Sequence, residues 1–195
     1  MDINAIILAG GKSSRMGRDK ALISIQAVPM LQRVYQVATS CADTVYVVTP
    51  WQERYQHLLP RNCNFIRETI LGQGPLMGFC QALKQVQSDW VLLLACDLPK
   101  LQIEIIQEWK LLLNMVDDQA IAALVYSDTG WEPLCGFYHR RCLPKLIEFI
   151  NQGGRSFQEW LSLHPVYTLP LAEPQMLFNC NTPEDLGLAI GEVEI

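Results

Sequence analysis

Histidine is scarce in this chain. His57, His139 and His164 are the only three in 195 residues; they are dispersed, and none is expected to act as a ligand or base. No Ser/His/Asp or Cys/His arrangement is evident, so side-chain nucleophilic catalysis is not expected. The seven cysteines are odd in number and contain neither a C-x-x-C pair nor a metal-like spacing. They read as reduced thiols, with Cys80, Cys96 and Cys180 serving as small hydrophobes in apolar surroundings. No run is long and apolar enough to span a bilayer, and the N-terminus lacks a basic segment before its apolar one and lacks the cleavage site of a secretory signal. The expected location is therefore the cytoplasm, with no membrane partner. Basic residues are in deficit, 15 against 20 acidic ones for a net charge of -5, which argues against a generic nucleic-acid surface. There is no low-complexity linker, charge run or internal repeat. Half the residues are hydrophobic, so a single domain spanning 1–195 with a substantial core is expected.

Against that acidic background, one stretch is rich in glycine and positive charge: Leu8-Ala9-Gly10-Gly11-Lys12-Ser13-Ser14-Arg15-Met16-Gly17-Arg18-Asp19-Lys20. It follows the apolar run from Ile3 to Leu8, which has strand character. Glycines let backbone N–H groups approach a ligand, and successive N–H groups form a concave anion site. Lysine and arginine add charge and donors for phosphate oxygens. A triphosphate-binding loop after the first strand of an α/β domain is the reading; an ordinary Gly/Ser turn with solvated charges is the alternative. The stretch is not a P-loop, whose first glycine would fall at Ile6, nor a dinucleotide fingerprint, whose later glycines would fall at Lys12 and Arg15.

Strand and helix patterns then alternate. Helices are predicted over 30–42, 51–59, 76–86, 101–115, 141–150 and 155–163, with a last one opened by Thr182-Pro183-Glu184-Asp185. Strands are predicted over 3–9, 44–49, 64–67, 89–95, 120–126 and 134–138, with edge strands over 166–171 and 177–179 and a loop at Trp131-Glu132-Pro133. The run Trp90 to Ala95 is apolar throughout, which suits a central parallel strand covered on both faces. The order predicts an α/β fold, a three-layer αβα sandwich with a mostly parallel sheet. Asp97 falls just past the carboxyl end of that central strand, where ligands sit in open α/β sheets. A carboxylate there suits Mg²⁺, which takes one or two carboxylates and completes its shell with substrate phosphates. The alternative role for Asp97 is to cap a helix beside Pro99; the two are compatible.

The run Leu-Ala-Gly-Gly-x-Ser-x-Arg-Met-Gly-x-Asp-Lys resembles the signature of nucleotidyltransferases related to the molybdenum cofactor guanylyltransferase. Gly74-Pro75-Leu76-Met77-Gly78 resembles that family's Gly-Pro-Leu-x-Gly, and the likeness extends over nearly the whole chain. The resemblance implies a Rossmann-like nucleotidyltransferase fold and transfer of GMP from GTP to the terminal phosphate of molybdopterin, with pyrophosphate released and Mg²⁺ as cofactor. It divides the chain into a nucleotide-binding half, 1–100, and an acceptor-binding half, 101–195. It gives Leu8, Ala9, Gly10 and Gly11 contacts to the nucleoside, Arg15 and Lys20 charge neutralisation on the triphosphate, and Asp97 the metal. Glu68 stands where the family has an aspartate that reads guanine, and Gly74 and Gly78 let a helix start pass close to the nucleoside. The family's purine-contacting asparagine near the end of the second strand has no evident counterpart; Val47, Val48 and Thr49 stand nearest. Arg155, Asn179 and Asn181, with Pro133, match segments near the acceptor or metal, and transient contact with cofactor insertion or delivery proteins is implied.

Each of these residues has a plainer explanation: a solvated charge for Glu68, a helix start for Gly74 and Gly78, a loop cap for Arg155, a turn for Asn181. Trp131 is suited to stack on a pterin or to pack at the rim of the core. Two other enzyme readings stay open, a cytidylyltransferase on the same acceptor and a sugar- or polyol-phosphate nucleotidyltransferase. So does a nucleotide-binding regulatory or cofactor-delivery protein without catalysis.

Overall fold

The computed structural model describes residues 1–11, 17–70, 72–171 and 173–190. Its elements in chain order begin with β1 (Ile3–Leu8), a small hairpin of β2 (Ser24–Ile25) and β3 (Val28–Pro29), α1 (Met30–Cys41) and β4 (Thr44–Thr49). They continue with α2 (Gln52–Tyr55), β5 (Asn64–Arg67), α3 (Pro75–Leu83), β6 (Trp90–Ala95) and α4 (Ile103–Leu112). The chain then forms β7 (Ala122–Ser127), β8 (Gly130–His139), α5 (Leu143–Asn151), α6 (Phe157–Ser162), β9 (Val166–Thr168) and α7 (Pro183–Ile190).

Seven strands form one sheet in the order β5-β4-β1-β6-β8-β7-β9. The first four of these run parallel, β8 is antiparallel to both its neighbours, and β9 is parallel to β7. Alternation along the central strands supplies two cores. Ile3, Ala5 and Ile7 of β1 and Leu92 and Leu94 of β6 face α1 and α4, where Leu31, Val34 and Trp109 meet them. Ile6, Val91 and Leu93 face the other way, onto Leu76 and Phe79 of α3, Leu146 of α5 and Trp160 of α6. Six of six β6 residues are buried, which explains its unbroken apolar sequence. The expected three-layer, mostly parallel sheet is the one observed.

After β1 the chain steps outward through β4 to β5, then returns through α3 to place β6 on the opposite side of β1. The strand order therefore reverses at β1, and the loops leaving β1 and β6 open side by side at the carboxyl edge. This is where an open α/β sheet forms its crevice.

Four local expectations need correction. Residues 131–133 are strand, not loop: β8 runs from Gly130, with Trp131 opposite Tyr126. Pro133 is tolerated because the β7–β8 register shifts between Leu124 and Tyr126, so the ladder does not need its missing N–H. Residues 177–179 are not an edge strand; Pro174–Leu177 winds into a 3-10 helix that buries Met176 and Leu177 against the α1–α4 core. The helix expected over 51–59 is reduced to α2. The β2–β3 hairpin was not expected at all. Its two-residue turn puts Gln26 (φ 51) and Ala27 (φ 65) in the left-handed region, without the Asn-Gly pair that usually marks such turns. All seven cysteines are free, and among the described residues no helix is long and apolar enough to cross a membrane.

Candidate active site

The site begins where the two central strands stop. Ala9 N–H donates to the Val48 carbonyl (2.9 Å) and Cys96 N–H to the Leu8 carbonyl (3.2 Å), so the loops after β1 and β6 leave the sheet from fixed positions. Lys12–Met16 lie outside the described residues, and with them the expected contact of Arg15. The far end of the loop is held by Asp19. Its carboxylate accepts from the Ala21 backbone N–H (3.1 Å) and from the buried Tyr55 hydroxyl (2.8 Å), with Arg54 Nη1 3.7 Å away. Asp19 thereby caps a 3-10 turn, Lys20–Leu22, and aims the Lys20 side chain.

Lys20 Nζ donates to Asp97 Oδ2 at 3.0 Å, joining the glycine-rich loop to the residue after β6 across 77 positions of sequence. It also donates to Asn181 Oδ1. Asn181 is itself fixed: its backbone N–H and that of Thr182 both donate to Asp185 Oδ2 (2.8 Å), and Asp185 N–H donates back to Thr182 Oγ1 (3.1 Å). This reciprocal capping opens α7 as the sequence suggests. The Cys180 N–H donates to the Asp97 carbonyl at 3.0 Å, so the segment before α7 is stitched to the loop after β6.

Asp19, Lys20 and Asp97 border a cleft of about 450 Å³, a size suited to a small-molecule site. Leu8, Ala9, Gly10 and Gly11 line it from the first loop, Lys20 from the 3-10 turn and Asp97 from the end of β6. Glu68 lines it from the end of β5, and Gly74 and Gly78 from the start of α3. Gly74 has φ 84, which its missing Cβ permits as the chain enters α3. Glu68 is anchored by its N–H to the Thr49 carbonyl (3.1 Å), and its carboxylate lies against Gly10. A Cβ on residue 10 would stand 2.0 Å from Glu68 Oε2, so a larger residue there would make the Glu68 carboxylate swing away from the loop. Burial pushes the Glu68 carboxyl above its usual range, so this acceptor sits in a partly dehydrated corner.

The residues expected to bind the acceptor, Arg155, Asn179 and Asn181, are not among this lining. Exposed Arg155 donates from Nε to Gln73 Oε1 (3.0 Å) and from Nη1 to the carbonyls of Ile150 (2.9 Å) and Gly154 (2.7 Å), docking the α5–α6 loop on the Gly72–Gly74 turn at the cleft rim. Asn179 is exposed, and its side-chain amide donates to the Leu177 carbonyl at 3.4 Å. Asn181 touches the cleft through Lys20. Sequence reasoning assigned no role to Asp19, Tyr55, Pro50 or Trp51, all of which line the cleft. The Thr49 hydroxyl is turned onto the Trp51 N–H (3.1 Å), so Pro50 and Trp51 form the wall after β4.

The donor set at Asp97 fits a hard cation. The neighbouring Cys96 thiol is pushed far up, first by burial and then by the charges of Asp97 and Asp19, so it stays protonated and offers no soft thiolate. Among the described residues no three His, Cys, Asp or Glu side chains converge. A metal on Asp97 would therefore complete its shell from phosphate and water, as Mg²⁺ does with nucleotides. Among the described residues the crevice thus combines a backbone-lined loop, the Lys20 ammonium, the Asp97 and Asp19 carboxylates, and a third carboxylate, Glu68, in a drier corner. That set suits a magnesium-bound nucleoside triphosphate.

Residues 5–166 match the family model described as the MobA-like NTP transferase domain. A probable molybdenum cofactor guanylyltransferase from a Nostoc species is 62% identical over 99% of this chain and 93% of its own length. One from Synechococcus elongatus is 42% identical over 95% and 96%. The crystal structure of molybdopterin-guanine dinucleotide biosynthesis protein A from Archaeoglobus fulgidus superposes with a TM-score of 0.80, at 22% identity and 97% coverage of each chain, and shares the fold.

Proposed function

The chain belongs to the MobA-like NTP transferase family, and from that premise we propose that it transfers GMP from GTP to the terminal phosphate of molybdopterin. An oxygen of the acceptor phosphate attacks the α-phosphorus of GTP. A new P–O bond forms, the bond from the α-phosphorus to the bridging oxygen breaks, and pyrophosphate leaves with that electron pair. The acceptor phosphate is already ionised, so no side-chain nucleophile or strong base is needed, which accounts for a site without histidine. The difficulty is electrostatic: two anions must meet while a third departs.

The single observation that carries this reading is the Lys20 Nζ–Asp97 Oδ2 contact at 3.0 Å, with both side chains less than one-fifth exposed. It places a cation from the first loop and a metal-competent carboxylate on one point of the cleft. When triphosphate enters, Lys20 exchanges part of this contact for phosphate oxygens. Asp97 would hold Mg²⁺, which supplies charge neutralisation at the α-phosphate and its neighbours. The backbone of residues 8–11 lies along the nucleoside, and Arg15 adds charge on the triphosphate. Glu68 offers two oxygens to the adjacent N1–H and N2–H₂ donors of guanine, whereas cytosine presents only its N4 donor there. The donor occupies the 1–100 half. The acceptor enters over the 101–195 half, near Arg155, Asn179 and Asn181. Seven free thiols and a nucleoside triphosphate substrate suit the cytoplasm.

The test is pyrophosphate release from GTP, CTP, ATP and UTP, each supplied with molybdopterin and Mg²⁺. GTP is expected to exceed every other donor by at least about tenfold in kcat/KM, the discrimination of one well-made bidentate base contact. CTP exceeding GTP would replace this reading with the cytidylyl one. Binding of GTP with no release from any donor would favour a regulator.

A further inference from the structure

We infer that the tip of the β7–β8 hairpin is the ring-binding subsite of the acceptor, with Tyr126 and Trp131 forming a corner against which the flat pyrimidine ring of the pterin stacks. The inference rests on the guanylyl-transfer reading and adds to it the residues that hold the far end of the second substrate.

The position follows from strand register. Leu94 of β6 pairs with Cys135, and β6 ends one residue later at Ala95, whereas β8 extends back to Gly130. Trp131 lies three residues beyond Leu134, which itself lines the cleft; at about 3.3 Å per residue the hairpin overhangs the sheet edge by roughly 10 Å. An acceptor whose attacking phosphate lies at Asp97 must project the rest of its length over this edge or into solvent. Trp131 is packed in part against the α3–α6 core, the side from which Gly74 and Gly78 reach the cleft. Arg155, which precedes α6, touches the Gly72–Gly74 turn on that same side.

The tip is also preorganised. Gln158 of α6 brackets residue 131, accepting from its N–H (3.1 Å) and donating to its carbonyl (2.6 Å). Gly130 has φ 114, and a Cβ there would meet Gln158 Oε1 at 2.9 Å, so the clamp depends on that glycine. Ser127 Oγ donates to Glu132 Oε1 (2.8 Å) across the turn. On this rigid mount the two rings meet at 79° with centroids 4.8 Å apart. Tyr126 is nonetheless 60% exposed, a large aromatic side chain left in water. Two rings at right angles offer a face and an edge to one flat heteroaromatic system, the geometry in which aromatic contacts are favourable.

Two measurements test this, one of them independent of turnover. Neopterin, a small pterin without the phosphate arm, should quench tryptophan emission of the wild-type protein, and Trp131→Phe should remove most of that quench. In steady-state assays Tyr126→Ala should raise the KM for molybdopterin about tenfold while the Kd for GTP stays within twofold, and Tyr126→Phe should restore the wild-type value. Because Tyr126 is exposed, its replacement leaves the core intact even if substitution at Trp131 disturbs folding. An unchanged acceptor KM in Tyr126→Ala, or no neopterin quench in the wild type, overturns the subsite while leaving guanylyl transfer standing. A rise in GTP Kd instead assigns the rings to the donor and overturns it as well. If molybdopterin is not an acceptor with any nucleotide, the functional reading falls, and neopterin quenching alone then decides for or against the aromatic corner.

Discussion

Replacing Asp97 with asparagine is expected to lower kcat for guanylyl transfer by about a thousandfold, with GTP binding weakened far less. Asparagine keeps the shape and one carbonyl oxygen, so the Cys180 N–H to residue 97 carbonyl link, a backbone contact, is retained. What is lost is the negative charge. A neutral amide is a poor ligand for a hard divalent cation, whose affinity depends on anionic oxygen. The loss falls on the transition state, where charge moves from the α-phosphorus onto departing pyrophosphate, and removing one preorganised electrostatic element commonly costs about 10²–10³ in rate. Loss of a metal ligand stands at the upper end of that range. Ground-state binding keeps the loop amides, Lys20 and the base contacts, so GTP affinity measured by titration should fall by about tenfold or less. Unchanged turnover in Asp97→Asn would remove this residue from the chemistry.

Lys20→Met is expected to lower kcat/KM for GTP by about a hundredfold or more, and Lys20→Arg to recover only part of it. Methionine preserves the unbranched apolar stem while deleting the ammonium. In the wild type that ammonium is held by Asp97 and Asn181 and aimed by the Asp19-capped turn, so it is in place before nucleotide arrives. Preorganised charge is worth more than charge recruited during reaction. Arginine restores the charge but spreads it over a planar fork that does not match the compact ammonium position between two side-chain oxygens. Losing the ammonium leaves the Asp97 carboxylate, less than one-fifth exposed, without that cation, so a modest loss of stability is expected beside the kinetic one. A thermal denaturation midpoint within a few degrees of wild type, beside the large kinetic loss, would separate this role from a structural one. Full activity in Lys20→Met would contradict it.

Much of this architecture is legible before any coordinates. β1, β4, β5 and β6 are apolar or β-branched runs bounded by glycine, proline or charge. Their alternation with amphipathic helices fixes a parallel core. Asp97 is legible because it follows the most apolar of those runs, and the first loop because its glycines and basic residues cluster in an acidic chain. Other features depend on contacts that local sequence does not encode. Asn181 meets Lys20 across 161 positions, through a segment whose apolar residues, Met176 and Leu177, resemble a strand and instead fill a 3-10 turn. Tyr55 reads as an ordinary helix aromatic, and only the folded chain brings its hydroxyl to Asp19. Pro133 signals a break that the β7–β8 register shift absorbs. Gln26 and Ala27 occupy a turn that their residue types do not announce. The proposed nucleotide side of the crevice is built from short-range motifs; the proposed acceptor side is assembled by packing that local sequence does not encode.

The most direct measurement is a crystal structure with GTP and Mn²⁺ standing in for magnesium, the metal located by its anomalous signal. The predicted result is one ion at coordination distance from the Asp97 carboxylate and from triphosphate oxygens, with Lys20 Nζ on the same triphosphate and the guanine edge on Glu68. Metal and triphosphate bound away from Asp97, or a nucleotide lying outside the crevice between β1 and β6, would contradict it.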